Sequence, residues 1–372
     1  PSPPNLPEVL LMMIACIDCH QPYPQDAIPY RCPACGGLYD FETLPPFDPA
    51  QVGEGPGIWR YRHTFGLPED APNVYLGEGD TPLVWTQVHG REVAFKLESL
   101  NPSHSFKDRG TAVLVSFLLA RGVEEAMDDS SGNAGSSFAA YAAHAGLKAR
   151  VFVPAYASGP KREQIGAYGA EVVAVPGPRS KASEAVRAAA EQGAVYASHA
   201  YLPQGFPGYT TAAFELVEQL GAAPGTVVLP VGQGNLFLAL GRGFHMLKEA
   251  GQIETLPRLI GVQAQACAPL VAAFQGGEAA LADIQEGETL AEGVRIKNPH
   301  RRAALLKTAG ACAGSFVAVG EDAILPGQAE LARRGLFVEP TSAIVWDGLA
   351  QVLDSVPDPI VVVLTGSGLK AV

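Results

Sequence analysis

From Gly53 onward the chain alternates between two hydrophobic patterns. Short β-branched runs at residues 93–97, 149–153, 171–175, 226–230, 259–262 and 359–364 read as buried strands. Between them, residues 136–145 are Ala-rich, 161–168 are amphipathic, 183–192 open on Ser183 as a cap, and 210–220 carry apolar residues at helical spacing. Parallel strands cannot be joined by tight turns and need a crossover helix, so this alternation predicts an α/β chain with mostly parallel sheets. Residues 269–289 are rich in Gly, Glu and Ala and read as a surface excursion. No internal repeat is visible. Residues 1 to about 50 break the pattern with clustered prolines and no helical periodicity, and read as a small separate module.

At 372 residues the chain has length for about two domains, and its 47% hydrophobic content supports a core in each. The 41 Gly and 31 Pro stay below the share, about 25–30%, at which low-complexity disorder becomes the default. A net charge of −12 disfavours nucleic acid and acidic membrane surfaces as partners. The apolar runs 9–16 and 112–120 are too short for a bilayer, which takes about 20 residues. The run ending at Cys16 resembles a signal core, but residues 1–8 carry no Lys or Arg, so a cytoplasmic location is expected.

Four of the six cysteines form two pairs, Cys16-x-x-Cys19 and Cys32-x-x-Cys35. Thiolates two residues apart point at one ion from a tight turn, and two such turns complete a four-thiolate zinc site. The twelve residues between the pairs suit a short hairpin. Such a site leaves no open coordination position, so its role would be structural; a metal-free knuckle is the alternative.

Three polar turns each open a helix, and the first and third follow strand-like runs. Asn101-Pro-Ser-His-Ser-Phe-Lys107-Asp-Arg-Gly110 sets a lysine at a helix start, where the dipole favours the neutral amine that Schiff-base chemistry requires. Taken alone, it reads equally as a solvated loop lysine. Asp129-Ser-Ser-Gly-Asn-Ala-Gly135 opens the Ala-rich helix with free N–H groups suited to a carboxylate. A Ser/Asn cap would explain Ser131 and Asn133 but not two glycines. Pro230-Val-Gly-Gln-Gly-Asn235 lets the main chain approach a phosphate, though a Gly-x-Gly turn alone is common. Leu364-Thr-Gly-Ser-Gly-Leu-Lys370 ends the last strand with a hydroxyl on each side of Gly366, either cofactor-facing or a plain strand end.

In this order the segments resemble the β-family, or fold type II, of pyridoxal-phosphate enzymes, and within it the threonine synthases. The resemblance covers roughly residues 75–370. It is carried by Gly77-Glu-Gly-Asp-Thr-Pro-Leu83, Ser105-Phe-Lys-Asp-Arg-Gly110, Ser131-Gly-Asn-Ala-Gly135, the helix end from Gln164 to Gly169-Ala170 and Gly208-Tyr-Thr-Thr211. Pro230 to Asn235, Glu292-Gly-Val-Arg-Ile296, Glu339-Pro-Thr-Ser-Ala343 and Leu364 to Lys370 complete it, and the four-Cys module is similar to one that precedes some threonine synthases.

The resemblance implies a fold type II architecture: a zinc-ribbon-like module at 1–50, a large α/β domain from 51–99 and 208–372, and a small inserted domain at 100–207, with the cofactor between the two α/β domains. It implies that Lys107 holds pyridoxal phosphate as an imine and moves protons, that Phe106 packs on the ring, and that Asn133 meets the 3′-oxygen. Gly232, Gln233, Gly234 and Asn235 would cradle the cofactor phosphate, and Thr365 would face the ring nitrogen. Ser131, Gly132 and Ala134 would receive the substrate carboxylate, with Arg109, Lys161 and Arg295 as candidates for its phosphate. The implied enzyme is a lyase of threonine biosynthesis that turns O-phospho-L-homoserine and water into L-threonine and phosphate, acting as a homodimer. Alternatives are another lyase or β-replacement enzyme of the fold, such as a threonine or serine dehydratase or a phosphoserine-using synthase, and a non-catalytic zinc-ribbon scaffold. The chain departs from the family at His104, where glycine or a small or apolar residue is usual, and in a phosphate turn that is shorter and less glycine-rich.

Overall fold

A computed structural model of the chain describes residues 13–156 and 159–371. Residues 1–12, which include the leader-like segment and the start of the apolar run, lie outside it. Twelve strands are present among the described residues: β1 Ile14–Cys16, β2 Tyr39–Phe41, β3 Leu83–Val88, β4 Arg91–Lys96, β5 Glu125–Asp128, β6 Lys148–Pro154, β7 Glu171–Val175, β8 Val195–Tyr196, β9 Thr226–Pro230, β10 Arg258–Ala264, β11 Ser315–Val319 and β12 Ile360–Val363. The principal helices are α1 Lys107–Ala120, α2 Asn133–Ala145, α3 Pro160–Ala167, α4 Arg179–Glu191, α5 Phe206–Leu220, α6 Asn235–Glu249, α7 Pro269–Gly276, α8 Arg302–Ala311 and α9 Glu321–Arg333.

The chain forms two compact units, one holding the residues up to Glu78 and Lys107–Tyr209, the other Gly79–Phe106 and everything from Thr210. In the first, β1 and β2 pair antiparallel, and a four-stranded parallel sheet runs in the order β7-β6-β5-β8. Leu38, Met127, Phe152, Val186, Tyr196 and Tyr201 share its core, so the N-terminal hairpin packs as part of this unit. Tyr30 stacks edge-on against Tyr196 and Tyr201, and the Arg121 guanidinium donates to the carbonyls of Gln25 and Ala27.

The second unit holds a six-stranded sheet, β11-β10-β9-β12-β4-β3, parallel except for β3 at one edge. Val228, Ile260, Val262, Ile360 and Val362 are at most 1% exposed and form its core with Leu331, Ile344 and Leu349. Both faces of such strands are covered, which is why they read as continuous apolar runs. A buried ion pair anchors β4: the Lys96 ammonium lies 2.8 Å from the Glu215 carboxylate and also donates to the Thr81 carbonyl at 2.8 Å. The Asp80 N–H donates to the same carboxylate at 2.9 Å, holding the 77–83 motif against the sheet.

The α/β prediction and its six strands agree with this architecture, and the differences have local causes. Helix α4 begins at Arg179 with Pro178 as N-cap; Ser183 lies one turn inside, its hydroxyl turned to the Asp129 carboxylate. The stretch read as a surface excursion begins as helix α7, with Pro269, Leu270 and Ala273 buried. Strand β5 escaped notice because its four residues include two acids, Glu125 and Asp128.

Candidate active site

In the N-terminal hairpin the sulfurs of Cys16, Cys19, Cys32 and Cys35 lie within 4.8 Å of one another. The Cys16–Cys35, Cys19–Cys32 and Cys19–Cys35 sulfur pairs are 3.4, 3.6 and 3.3 Å apart. A tetrahedral zinc with Zn–S bonds of about 2.3 Å sets its sulfurs about 3.8 Å apart. All four cysteines are free thiols, so the donor set fits a structural zinc after a small expansion.

Lys107 is the first residue of α1 in the first unit. The helix start is held from three sides. Thr111 donates to the Lys107 carbonyl at 3.0 Å; Ser137 of α2 donates to Asp108 at 2.6 Å and lies 2.8 Å from the Thr111 hydroxyl. Gly110 gives room to the ring of Tyr209, since a Cβ there would sit 2.2 Å from the Tyr209 Cζ. Nothing in the local pattern singled out Ser137, whose partner Thr111 is 26 residues away, and the motif at 208–211 that contains Tyr209 gave no sign of its contact with Gly110.

The turn before α2 requires glycine at one of its two glycine positions, Gly135. A Cβ on Gly135 would lie 1.8 Å from the Ser130 carbonyl, so only glycine lets the turn fold back over the helix start. Gly132 is the N-cap, Asn133 the first helical residue, Ala134 is buried, and Ser131 is partly exposed. Before the turn, the Asp128 carboxyl is pushed up to about 7 by burial first and by neighbouring Asp129 second. Burial likewise raises the Tyr209 and Tyr196 hydroxyls well above the usual range.

In the second unit, strand ends converge on one another. Gly232 follows β9, and a Cβ there would lie 2.5 Å from the Gly293 carbonyl. Gly234, at φ 84°, caps α6, and a Cβ on it would strike Leu305 at 2.5 Å. Gln233 accepts from the His300 N–H at 3.1 Å, and Asn235 is buried as the first residue of α6. This is a main-chain cradle whose backs are filled, leaving N–H groups at a helix start for an anion. Thr365, just beyond β12, donates its N–H to Ser342 Oγ at 2.8 Å and accepts from the Phe106 N–H at 3.0 Å. The Ser367 N–H reaches the His104 carbonyl at 3.1 Å, and the Lys370 ammonium the Ser103 carbonyl at 2.7 Å. The segment leading into Lys107 is thereby stitched to the end of β12. His104 itself is exposed at φ 67°, the left-handed region where glycine is the easy residue.

Of the three candidates for the substrate phosphate, Arg109 and Lys161 belong to the first unit and Arg295 to the second. Arg109 is fully buried in α1, Lys161 is partly buried in the first turn of α3, and the Arg295 guanidinium of the second unit donates to the Glu286 carbonyl at 3.1 Å. The residues fit pyridoxal phosphate: a lysine at a helix start, a glycine cradle that a Cβ would fill, and a neutral hydroxyl residue at a strand end.

Residues 74–366 match the pyridoxal-phosphate dependent enzyme family. The chain is 34% identical to the threonine synthase of Methanocaldococcus jannaschii, over 96% of this chain and 93% of that one. It is 36% identical to the threonine synthase of Synechocystis, over 84% and 82%. Among solved structures, the threonine deaminase of T.th. superposes with a TM-score of 0.65 at 26% identity, over 77% of this chain and 92% of that one. Maize serine racemase superposes with a TM-score of 0.67 at 19% identity, over 77% and 88%, a likeness of fold. With the match spanning most of its length, the chain belongs to the fold type II family of pyridoxal-phosphate dependent enzymes, as a relative of the threonine synthases.

Proposed function

We propose that this chain is a threonine synthase, a lyase that converts O-phospho-L-homoserine and water to L-threonine and phosphate. The observation that carries the reading is Lys107: it opens a helix directly after Phe106, whose N–H is tied to Thr365 at the end of β12. Relatives named threonine synthase, at 32–36% identity over 84–96% of the chain, support the choice of reaction.

Bound pyridoxal phosphate supplies an electron sink for charge that develops on the substrate carbons. Lys107 holds the cofactor and takes protons from the substrate, first at Cα and then at Cβ, as phosphate leaves Cγ. It would return one proton at Cγ, which makes Cβ electrophilic, and one at Cα after water has added at Cβ. A single base serves these positions only if its helix start is rigid, which is what Ser137, Thr111 and Tyr209 provide. Gly232 to Asn235 would hold the cofactor phosphate, and Phe106 would pack on the ring. Asn133 would donate to the 3′-oxygen, and Thr365 would offer the ring nitrogen a hydroxyl in place of an acid. Ser131 and the N–H groups of Gly132 to Ala134 bind the substrate carboxylate at the start of α2. Arg109, Lys161 and Arg295 remain the cationic candidates for the substrate phosphate.

The test is incubation of the purified protein with O-phospho-L-homoserine, scoring phosphate and threonine together. Both products are expected, in equal amounts, and both are expected to vanish in Lys107→Ala. Cofactor-loaded protein that leaves phosphohomoserine intact but turns L-threonine or L-serine into a keto acid and ammonia would overturn the synthase reading in favour of a dehydratase.

A further inference from the structure

The turn that opens α2 starts at Asp129, and Gly132, its N-cap, has no side chain to bond the helix start. The Asp129 carboxylate anchors the head of the turn to two other elements. Its Oδ1 accepts from the Tyr196 hydroxyl of β8 at 2.7 Å, and its Oδ2 from the Ser183 hydroxyl of α4. Tyr196 is 2% exposed, and register places it: β8 pairs parallel with β5 so that Tyr196 lies opposite Met127, two residues before Asp129. The Ala197 N–H donates to the Met127 carbonyl at 2.7 Å, which carries this pairing up to the turn. Burial keeps the proton on the Tyr196 hydroxyl, so it is the donor to Asp129.

The Tyr196 ring is itself held by the N-terminal hairpin. Tyr30, from the segment between Cys19 and Cys32, meets it with ring centroids 5.4 Å apart at 61°. Tyr30 also meets Tyr201 edge-on at 5.3 Å, and Tyr201 lies 5.6 Å from Tyr196, so the three rings close on one another. The Arg31 guanidinium sits 5.2 Å from the Tyr201 centroid and donates to the Gly36 carbonyl at 2.8 Å, tying the rings to the second cysteine turn. Edge-on ring contacts are directional, so they set the orientation of a ring as well as its burial. An anion site made of main-chain N–H groups binds only while those groups converge, and hydrogen bonds weaken steeply once misaligned. We propose that Tyr196 is a positioning residue for the turn at 131–134, and that the hairpin acts on substrate recognition through it. Tyr30 fixes the Tyr196 ring, and the Tyr196 hydroxyl fixes Asp129 at the head of the turn. The inference rests on the reading of this turn as the carboxylate site and goes beyond it by giving the N-terminal hairpin a task. On this account neither tyrosine touches substrate or cofactor.

The experiment compares, on full-length cofactor-bearing protein, the dissociation constants of L-threonine and of L-threoninol, in which a hydroxymethyl group replaces the carboxylate. Both are read from bound-cofactor absorbance. General loosening of the fold weakens the two ligands alike, whereas a displaced carboxylate site lowers the preference for L-threonine. Wild type is expected to prefer L-threonine, and Ser131→Ala to lose part of that preference. Tyr196→Phe, which removes a single oxygen, is expected to lower the preference by about tenfold, the effect of losing one hydrogen bond to a charged group. Tyr30→Leu is expected to lower it too, and Tyr30→Phe, which keeps the ring contacts, to match wild type. In the Tyr196→Phe background Tyr30→Leu should add nothing further. Amide exchange over residues 129–136 of the cofactor-free chain should quicken in both Tyr196→Phe and Tyr30→Leu. Circular-dichroism melts establish that each variant is folded, and Tyr30→Met replaces Tyr30→Leu if that variant does not fold. Unchanged preference or unchanged exchange in Tyr196→Phe overturns the proposal, and additive losses in the double variant overturn the part given to Tyr30. A wild type without the preference, or a Ser131→Ala that keeps it whole, overturns the carboxylate reading and the proposal with it, which keeps the two failures apart.

Discussion

Gly232→Ala tests the phosphate cradle at its tightest point. The new Cβ would lie 2.5 Å from the Gly293 carbonyl oxygen and 3.1 Å from the Val294 Cα. Both are main-chain atoms, and the Gly293 N–H is itself held by Thr341 Oγ1 at 3.0 Å, so neither can rotate away. Ordinary carbon–oxygen contact starts near 3.3 Å, so the turn must retreat by roughly 0.8 Å. An N–H···phosphate bond of about 2.9 Å stretched by that amount no longer counts as a hydrogen bond. One charge-assisted bond lost costs about 1.5–3 kcal/mol, or roughly 10- to 150-fold in affinity for pyridoxal phosphate. The assay is titration of the cofactor-free variant with pyridoxal phosphate, read by bound-cofactor absorbance. A parallel thermal melt of the cofactor-free form separates the overpacking cost, about 1–3 kcal/mol, from the binding loss. A dissociation constant within threefold of wild type would refute the assignment of this turn as the phosphate site.

Replacing Lys96 by Met strands the Glu215 carboxylate at zero exposure and should cost about 3–5 kcal/mol in urea unfolding. Lys96→Met with Glu215→Leu should recover most of that loss; a double variant as unstable as the single would show the pair is not the cause. At His104, relief of left-handed strain and the extra unfolded-state freedom of glycine roughly offset at about 1 kcal/mol each. His104→Gly should therefore be no less stable than wild type in a thermal melt, whereas β-branched His104→Val should lose about 1 kcal/mol or more. Metal analysis should find one zinc per chain, and Cys35→Ser or a strong chelator should lower the first unit's melting temperature; unchanged melting after metal loss would exclude a structural role. Asp128 binds its proton up to about pH 7 in the folded chain but only to about 3.9 when unfolded. The folded state thus holds the extra proton between those values, and wild type loses stability as pH rises through them. Asp128→Asn should gain on wild type from pH 4 to 7 and hold level above; a difference flat with pH would contradict the burial of that carboxyl.

The sheets were legible because parallel strands covered on both faces leave unbroken apolar runs, as at β9 and β12. The glycine turns were legible for a related reason: close main-chain approach admits one residue type, and Gly135, Gly232 and Gly234 each sit where a Cβ would collide. What escaped was whatever depends on a distant partner. Ser137 looks like any small helical residue until it meets Asp108, and Ser342 until it meets the Thr365 N–H. The motif at 129–135 was visible, whereas the near-complete burial of Asp128, one residue earlier, is set by the tertiary fold. Arg109 read as a candidate anion ligand by charge alone, while its complete burial in α1 is a tertiary fact.

The strand order of the second unit also bears on how the chain assembles as it leaves the ribosome. β12, the last of the described strands to be made, lies between β9 and β4, so β4 has no parallel neighbour until residues 360–363 emerge. The first unit is complete once Tyr209 has been synthesised. At about 5–20 residues per second, the β3–β4 hairpin then waits roughly 8–30 s with one edge open. Its waiting edge includes Val93 and Phe95, both at most 1% exposed in the finished protein. Nascent chains stalled before residue 360 are therefore the species most prone to aggregate, and those for which a chaperone has the most to cover.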